Sequence, residues 1–425
     1  MEGARATAAV ERPAQDVPAD PDHAVVRLVG WGSAALVVAL AHNRLWASPN
    51  LDAFARIAER LGSNPFADAS SSDYLLTNLS LPTLARALGM TDPHRYALLH
   101  LIVLVVGCVC CVVLAQRHHG YRAARTLTVL LAASPGVTVV LQWLGQPDAL
   151  TFPLGIALVL VRRRGAFVAL SVLAGLTHPE QAVLVVACAA VVRGLVLPSA
   201  QLDDLPAARP PWRRVPSLVL GDLVVGVLAV GLARLVIEAY LRLFEVGLGR
   251  PRSDYLRLGA ELLVEHHTRA TASLVYLLWG PLWLVVIGVI ALRVRAARWP
   301  EPDRDAWSWG VLAALALVAL VPVAVTLDET RVYAVLTAPV LGAAAVVLSR
   351  EVVAWRPPVL RFASVALLAI TAVVPGGFTA GEDAWATEIP TEEFVEFLST
   401  GDSPTPLFFW LLAPFDFVVP DVGDP

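Results

Sequence analysis

From Val25 to Val374 the chain is a succession of long apolar runs broken by short polar and basic turns. A run of roughly 16 to 22 residues with little or no charge can cross ~30 Å of hydrocarbon as a helix. Eleven such helices are predicted. They lie near Val25 to Ala41, Ala97 to Ala115, Thr126 to Leu144, Ala149 to Val161, Ala166 to Leu176, Ala182 to Leu197, Pro216 to Ala239, Thr271 to Leu292, Trp307 to Leu327, Val332 to Leu348 and Val359 to Val374. The fourth and fifth runs are the shortest, which predicts helices that extend into their flanks or are tilted and broken.

Composition agrees with this pattern. With 57% of the 425 residues hydrophobic and 16% charged, there is too little polar surface to cover a water-soluble globule. An all-α polytopic membrane protein is therefore predicted, and cytosolic, secreted and nucleic-acid-binding classes are excluded. The four cysteines, Cys108, Cys110, Cys111 and Cys188, fall inside apolar runs and act there as small hydrophobes, which suggests neither a disulfide framework nor a thiolate metal site. The polar residues 1–24 read as a disordered cytoplasmic tail, followed by a multi-span domain over 25–374 and an acidic tail over 375–425.

Charge sets the expected orientation. All 32 basic residues are arginine. With a cytoplasmic amino terminus, the inner turns hold 17 Arg against 6 acids and the outer loops with the carboxyl tail hold 11 Arg against 23 acids. The tail after Val374 has ten acids and no base, which fits an odd number of spans and an extracytoplasmic carboxyl terminus in the plasma membrane. Within it, LFFWLLAP (Leu407 to Pro414) is too short to span and is expected to dip into the interface or cover the bundle.

Two outer loops, 42–95 and 240–269, are long enough to hold structure. The first contains the amphipathic stretch LDAFARIAERLG, opened by Asn50 as a cap and ended by Gly62. The second ends in EHHTR and has a similar mixed pattern. Amphipathic helices on an outer membrane face suit a protein that processes something half in lipid and half in water.

Candidate chemistry gathers at the outer ends of the spans: Asp52, Asp68 and Asp73 in the first loop, Gln146 and Asp148 in GQPD, His178 and Glu180 in THPEQ, His266 and His267, then Asp328, Glu329 and Arg331 in DETR. Ionisable groups at the edge of hydrocarbon cost free energy unless paired or wet, so their convergence on one face predicts a hydrated cavity. Asp52 has the chemistry to take a proton from an acceptor hydroxyl; otherwise it is a first-turn acid favoured by the helix dipole. Arg331 suits a phosphate oxygen pair, or else forms an ion pair with its neighbours Asp328 and Glu329. His178 and Glu180 leave a divalent cation open, but two ligands do not make a site, and no metal site is predicted. The chain has no GxxxxGK[ST] loop, no GxGxxG motif and no HExxH motif, so substrate is expected to arrive through the membrane or its outer face.

These residues also carry a resemblance. LDAFARIAERLGSNPF followed by DYLLTNLSLPTLARALG resembles the first outer loop of the polytopic GT-C superfamily of glycosyltransferases. GQPDALTFPLGIALVLVRRRGAFVALSVLAGLTHPEQAVLVV is similar to a segment of the branch that uses polyprenyl-phosphate mannose. The resemblance implies inverting transfer of a sugar from a polyprenyl-phosphate donor to a lipid, glycan or protein acceptor on the outer face. It implies that Asp52 is the general base and that Asp73 matches a second acid of that loop. Two departures stand out: His178-Pro179 where relatives have Lys-Pro, and Asn78 to Pro82 in place of Tyr-Pro-Pro. With the lysine replaced, Arg331 becomes the candidate contact to the donor phosphate.

Two other readings are open from sequence. A transporter or flippase for a lipid-linked or small polar substrate needs polar residues through the bundle, and Asp222, Arg234, Gln142 and Gln181 form no continuous path in sequence. A non-catalytic membrane scaffold would tolerate neutral substitution of Asp52 and Arg331.

Overall fold

Within the described residues each predicted apolar run coincides with helix in the computed structural model, which describes residues 21–42, 51–65, 78–197, 211–245, 275–296, 304–323, 326, 329–351, 357–373, 378–380, 383–385, 387–388 and 407–408. The helices are α1 (Pro21–His42), α2 (Leu51–Arg60), α3 (Ser80–Leu88), α4 (Pro93–His119), α5 (Tyr121–Ala132), α6 (Pro135–Leu141), α7 (Asp148–Leu160), α8 (Arg164–Thr177), α9 (Pro179–Leu195) and α10 (Pro211–Arg242). After them come α11 (described over 275–279), a 3-10 turn (Gly280–Leu282), α12 (Trp283–Ala296), α13 (Arg304–Val318), α14 (Leu320–Val323), α15 (Glu329–Glu351) and α16 (Pro357–Val373). Two small antiparallel pairings follow and are the exception to an otherwise helical chain. Phe378–Ala380 pairs with Asp383–Trp385, and Thr387–Glu388 pairs with Leu407–Phe408. Leu407 and Phe408 of the apolar tail segment thus lie in a strand pairing; the rest of that segment, the tail 1–20 and most of the loop 240–269, with His266 and His267, fall outside the described residues.

Helix boundaries follow local chemistry. Asp92 precedes α4 with Pro93 at its first position, and the basic group Arg117, His118 and His119 fills its last turn. The Ser134 side chain accepts the N–H of Gly136 and opens α6, which bends 51° from α5 across a two-residue break. In α2, Leu51, Phe54, Ala55, Ile57 and Ala58 form one buried face and Asp52 lies on the exposed one, as the amphipathic spacing predicts.

Contacts along the helices fix their directions. Asp148 meets Arg331, and Gly155 meets Ala338 with the same sequence offset, so α7 and α15 run parallel and in register. An added Cβ on Gly155 would lie 3.0 Å from the Ala338 Cβ, which shows how closely the two helices approach. Gly107 abuts Pro153, and further on Arg162 donates to the His118 carbonyl, so α4 is parallel to α7 as well. Arg193 at the end of α9 reaches the Leu158 and Val161 carbonyls at the end of α7. Helices α4, α7, α9 and α15 therefore all begin at one face, called the site face below. The turn-linked helices α5, α8 and α16 begin at the opposite face, where Asp222 near the start of α10 also pairs with Arg193. These helices alternate in direction.

Span lengths correct the sequence reading in one respect. Among the described residues five helices are long and apolar enough to cross a membrane, and the bent α5–α6 pair makes a sixth. The α7 helix has 13 residues and α8 has 14. At 1.5 Å per residue neither covers ~30 Å of hydrocarbon. Almost every residue of α7 is buried, against α15 and α4, so it runs between the two faces inside the bundle rather than facing lipid.

Candidate active site

At the site face the chain turns sharply between Leu141 and Asp148. Gly145 takes a φ of 107°, a conformation that favours glycine, and this turn delivers Gln146 and Asp148 to the start of α7. The Asp148 side chain is completely buried in the first turn of that helix, where the positive end of the helix dipole favours a carboxylate. Arg331, one turn from the start of the parallel α15, is 6% exposed. Its Nη1 donates to Asp148 Oδ2 at 3.1 Å and to Gln146 Oε1 at 3.2 Å. The guanidinium carbon lies 5.6 Å from the Trp143 ring centroid, within cation–π range. Glu329, at the start of α15, is also fully buried. Two carboxylates, one guanidinium and two helix N-termini are thus gathered in protein interior.

The first outer loop closes over this turn. An added Cβ on Gly145 would lie 2.7 Å from Leu51 Cδ1 and 3.6 Å from Leu51 Cα, so the first residue of α2 rests on the GQPD turn. Asp52 is the next residue and is exposed. The α3 side of the loop is tied to the α8–α9 turn: Leu79 N–H donates to the Leu176 carbonyl at 3.0 Å, and the Ser80 and Thr177 hydroxyls are 2.7 Å apart. At the other end of α2, the Tyr240 hydroxyl of α10 donates to the Leu61 carbonyl at 3.2 Å.

The expected residues therefore divide. Gln146, Asp148 and Arg331 form one buried cluster, with α2 and Asp52 brought to its turn. Arg331 forms an internal ion pair with Asp148, 183 residues away. His178 is buried and spends Nδ1 accepting the Gln181 N–H at 3.4 Å as the cap of α9. Glu180 beside it is exposed, so the two do not present a joint site for a cation. Asp73, Asp68 and Asp328 fall outside the described residues. Among the described residues no three His, Cys, Asp or Glu side chains come together to hold a metal. Asp222 pairs with Arg193 and Arg164 at the opposite face, and Arg234 pairs with Glu238 on its own helix.

Further polar groups are buried towards the site face. Tyr96 and His100 are fully buried one turn apart on α4, with ring centroids 4.4 Å apart. His100 Nδ1 donates to the Tyr96 carbonyl at 2.8 Å, which in the neutral ring leaves Nε2 a bare acceptor. Neither that Nε2 nor the Tyr96 hydroxyl has a hydrogen-bond partner among the described residues, and the same holds for Gln142 Oε1, Gln181 Oε1 and both side-chain polar atoms of Asn78. Buried polar atoms are seldom left unmatched, and several of these lie near the same end of the bundle. Tyr96 and His100 were not singled out from sequence; a histidine within an apolar span was the signal.

No protein-family model and no curated protein matches the sequence. Among solved structures the chain is similar to the crystal structure of ArnT from Cupriavidus metallidurans in the apo state, at 17% sequence identity with a TM-score of 0.42. The likeness covers 82% of this chain and 63% of that one, so this chain spans less than two thirds of that protein's length.

Proposed function

We propose that this membrane protein is a GT-C-type glycosyltransferase that moves a sugar from a polyprenyl-phosphate donor to a lipid, glycan or protein acceptor at the site face. The observation that carries the reading is the meeting of three segments distant in sequence: the first turn of α2 lies on Gly145, and the turn that follows delivers Gln146 and Asp148 to Arg331. The motif resemblance in the first outer loop and around GQPD supports the same reading. Mannose is the sugar that the resemblance favours. The arginine distribution supports placing the site face outside the plasma membrane, with the amino terminus cytoplasmic.

The reaction needs little covalent help. An acceptor hydroxyl oxygen attacks the anomeric carbon, the bond from that carbon to the phosphate oxygen breaks, polyprenyl phosphate leaves, and the hydroxyl proton goes to a carboxylate. Inversion follows from attack opposite the leaving group. Asp52, carried on α2 at the edge of the site, is assigned the proton. Arg331 is assigned the departing phosphate. Its guanidinium is held by Asp148 and Gln146 before substrate arrives, so little reorganisation accompanies charge development. The buried Tyr96, His100, Gln142, Gln181 and Asn78 supply donors and acceptors suited to a polyhydroxylated head group.

The test is sugar release by the purified protein in nanodiscs, offered a panel of polyprenyl-phosphate sugars with their free polyprenyl phosphates as product standards. Turnover of at least one donor, with polyprenyl phosphate formed in equal amount, is expected. A folded protein that releases no sugar from any donor, yet moves such a lipid between leaflets, would replace this reading with the flippase.

A further inference from the structure

Among the described residues three arginines are buried to within a tenth of full burial, and two of them have a carboxylate partner. Arg331 has Asp148 and Gln146, while Arg193 has Asp222 together with the Leu158 and Val161 carbonyls at the end of α7. The third is Arg125, one turn into α5 and 7% exposed. Its Nε and Nη2 are buried without a hydrogen-bond partner, and it makes no ion pair among the described residues. An isolated buried charge costs several kcal/mol, so the chain alone does not explain why a guanidinium is kept there.

Its surroundings point to an anion. The charged side chains that act on it are Arg122 of its own helix and Arg361 of α16, both cations, with the Tyr121 phenol beside them. On the third side the guanidinium carbon is 6.0 Å from the Trp31 ring centroid of α1. Helices α1, α5 and α16 pack on one another. Both α5 and α16 begin at the face opposite the site, so the positive ends of their dipoles are turned the same way as the arginines. Gly120 precedes α5 and offers no side-chain cap to its first N–H groups. These features together suit a phosphate.

The neighbouring surface says where the phosphate comes from. Both helices that pack with α5 here carry exposed large apolar side chains: Val26 and Val29 of α1 are 71% and 62% exposed, and Phe362 of α16 is 75% exposed. Arg125 therefore lies between helices whose outer faces are of the lipid-facing kind, which suits a phosphate that carries acyl chains. We propose that Arg125, with Arg122 and Arg361, binds the phosphate of an anionic membrane lipid between α1, α5 and α16, at the face opposite the catalytic cluster. A basic recess between transmembrane helices is a known form of lipid head-group recognition. The site is separate from the proposed reaction and stands whether or not sugar transfer is found.

The experiment is native mass spectrometry and thermal unfolding of the full chain in detergent, with added phosphatidylglycerol, cardiolipin, phosphatidylcholine or inorganic phosphate. Wild type should retain an anionic lipid at least about tenfold better than phosphatidylcholine and melt higher in its presence. Arg125→Met should lose that preference and that gain, while in phosphatidylcholine alone it melts no lower than wild type, because it removes an unmatched buried charge. Arg361→Gln, at the rim, should weaken retention several-fold and covers the case in which Arg125→Met fails to fold. Inorganic phosphate that displaces the lipid supports the site as a phosphate site. A melting gain from inorganic phosphate with none from either anionic lipid would overturn the lipid assignment, and so would equal retention of anionic and zwitterionic lipids by wild type. Retention of the anionic lipid by Arg125→Met and Arg361→Gln at the wild-type level would also sink the proposal.

Discussion

Arg331 Nη1 lies 3.1 Å from Asp148 Oδ2, and this pair joins the first turns of two parallel helices whose sequences are 183 residues apart. Both side chains are almost wholly withdrawn from solvent. A pair in that position costs desolvation of both ions, and its geometry is what recovers it. Gln146 Oε1 shares the same Nη1, so the guanidinium is fixed in rotation as well as in place.

Removing one partner leaves an uncompensated buried charge. Asp148→Leu and Arg331→Met are each expected to destabilise the protein by roughly 3–5 kcal/mol. The double variant Asp148→Leu with Arg331→Met should recover much of that loss while remaining inactive. A double-mutant cycle of unfolding in detergent checks this, and additive losses with no recovery would show that the pair is not coupled.

Gly145 links the first loop to this pair. Gly145→Ala imposes a side chain where φ is 107° and drives its Cβ into Leu51, so a loss of about 1–3 kcal/mol is expected together with displacement of α2. Donor turnover should fall more steeply than donor affinity, since α2 carries the proposed base. Unchanged turnover in a folded Gly145→Ala protein would separate α2 from the chemistry.

The sequence made much of this layout legible and left a particular part of it hidden. The helical segments follow from apolar runs between arginine-rich turns, and α2 follows from the spacing of Leu51, Phe54, Ile57 and Ala58. That α7 is short and enclosed by protein is not legible, because burial against protein and burial in lipid demand the same apolar residues. Arg331 has two acids within three residues in sequence, and Asp148 is added as a partner by the parallel packing of α7 and α15, which local sequence does not reveal. His178 reads as a substitute for a phosphate-binding lysine, whereas its ring is engaged in capping α9. His100 and Tyr96 are hidden at the edge of an apolar run.

The opposite face gives the control. Arg193 binds Asp222 at 3.0 Å, the Leu158 carbonyl at 3.3 Å and the Val161 carbonyl, and its guanidinium carbon is 4.9 Å from the Phe167 ring centroid. Asp222→Asn and Arg193→Met are expected to lower stability by roughly 3–5 kcal/mol. Turnover per folded molecule should be unchanged, measured below the melting transition of each variant. A fall in turnover without a fall in stability would place this cluster in the reaction.

Tyr96→Phe tests the polar lining. Its hydroxyl has no partner among the described residues, so its removal should change stability by no more than about 0.5 kcal/mol. If the hydroxyl meets the sugar, donor affinity weakens roughly 2- to 10-fold, the worth of one hydrogen bond. Titration of donor against initial rate reads this, and an unaltered KM would remove Tyr96 from the binding surface.

The most direct test of the account is the turnover of a polyprenyl-phosphate sugar by Asp52→Asn beside wild type, in nanodiscs and at equal folded concentration. Loss of a positioned general base is worth about 10²–10⁴ in rate, so the variant should keep donor binding and lose at least a hundredfold in turnover. Asp52→Asn that transfers sugar at the wild-type rate would contradict the assignment of α2 to the active site.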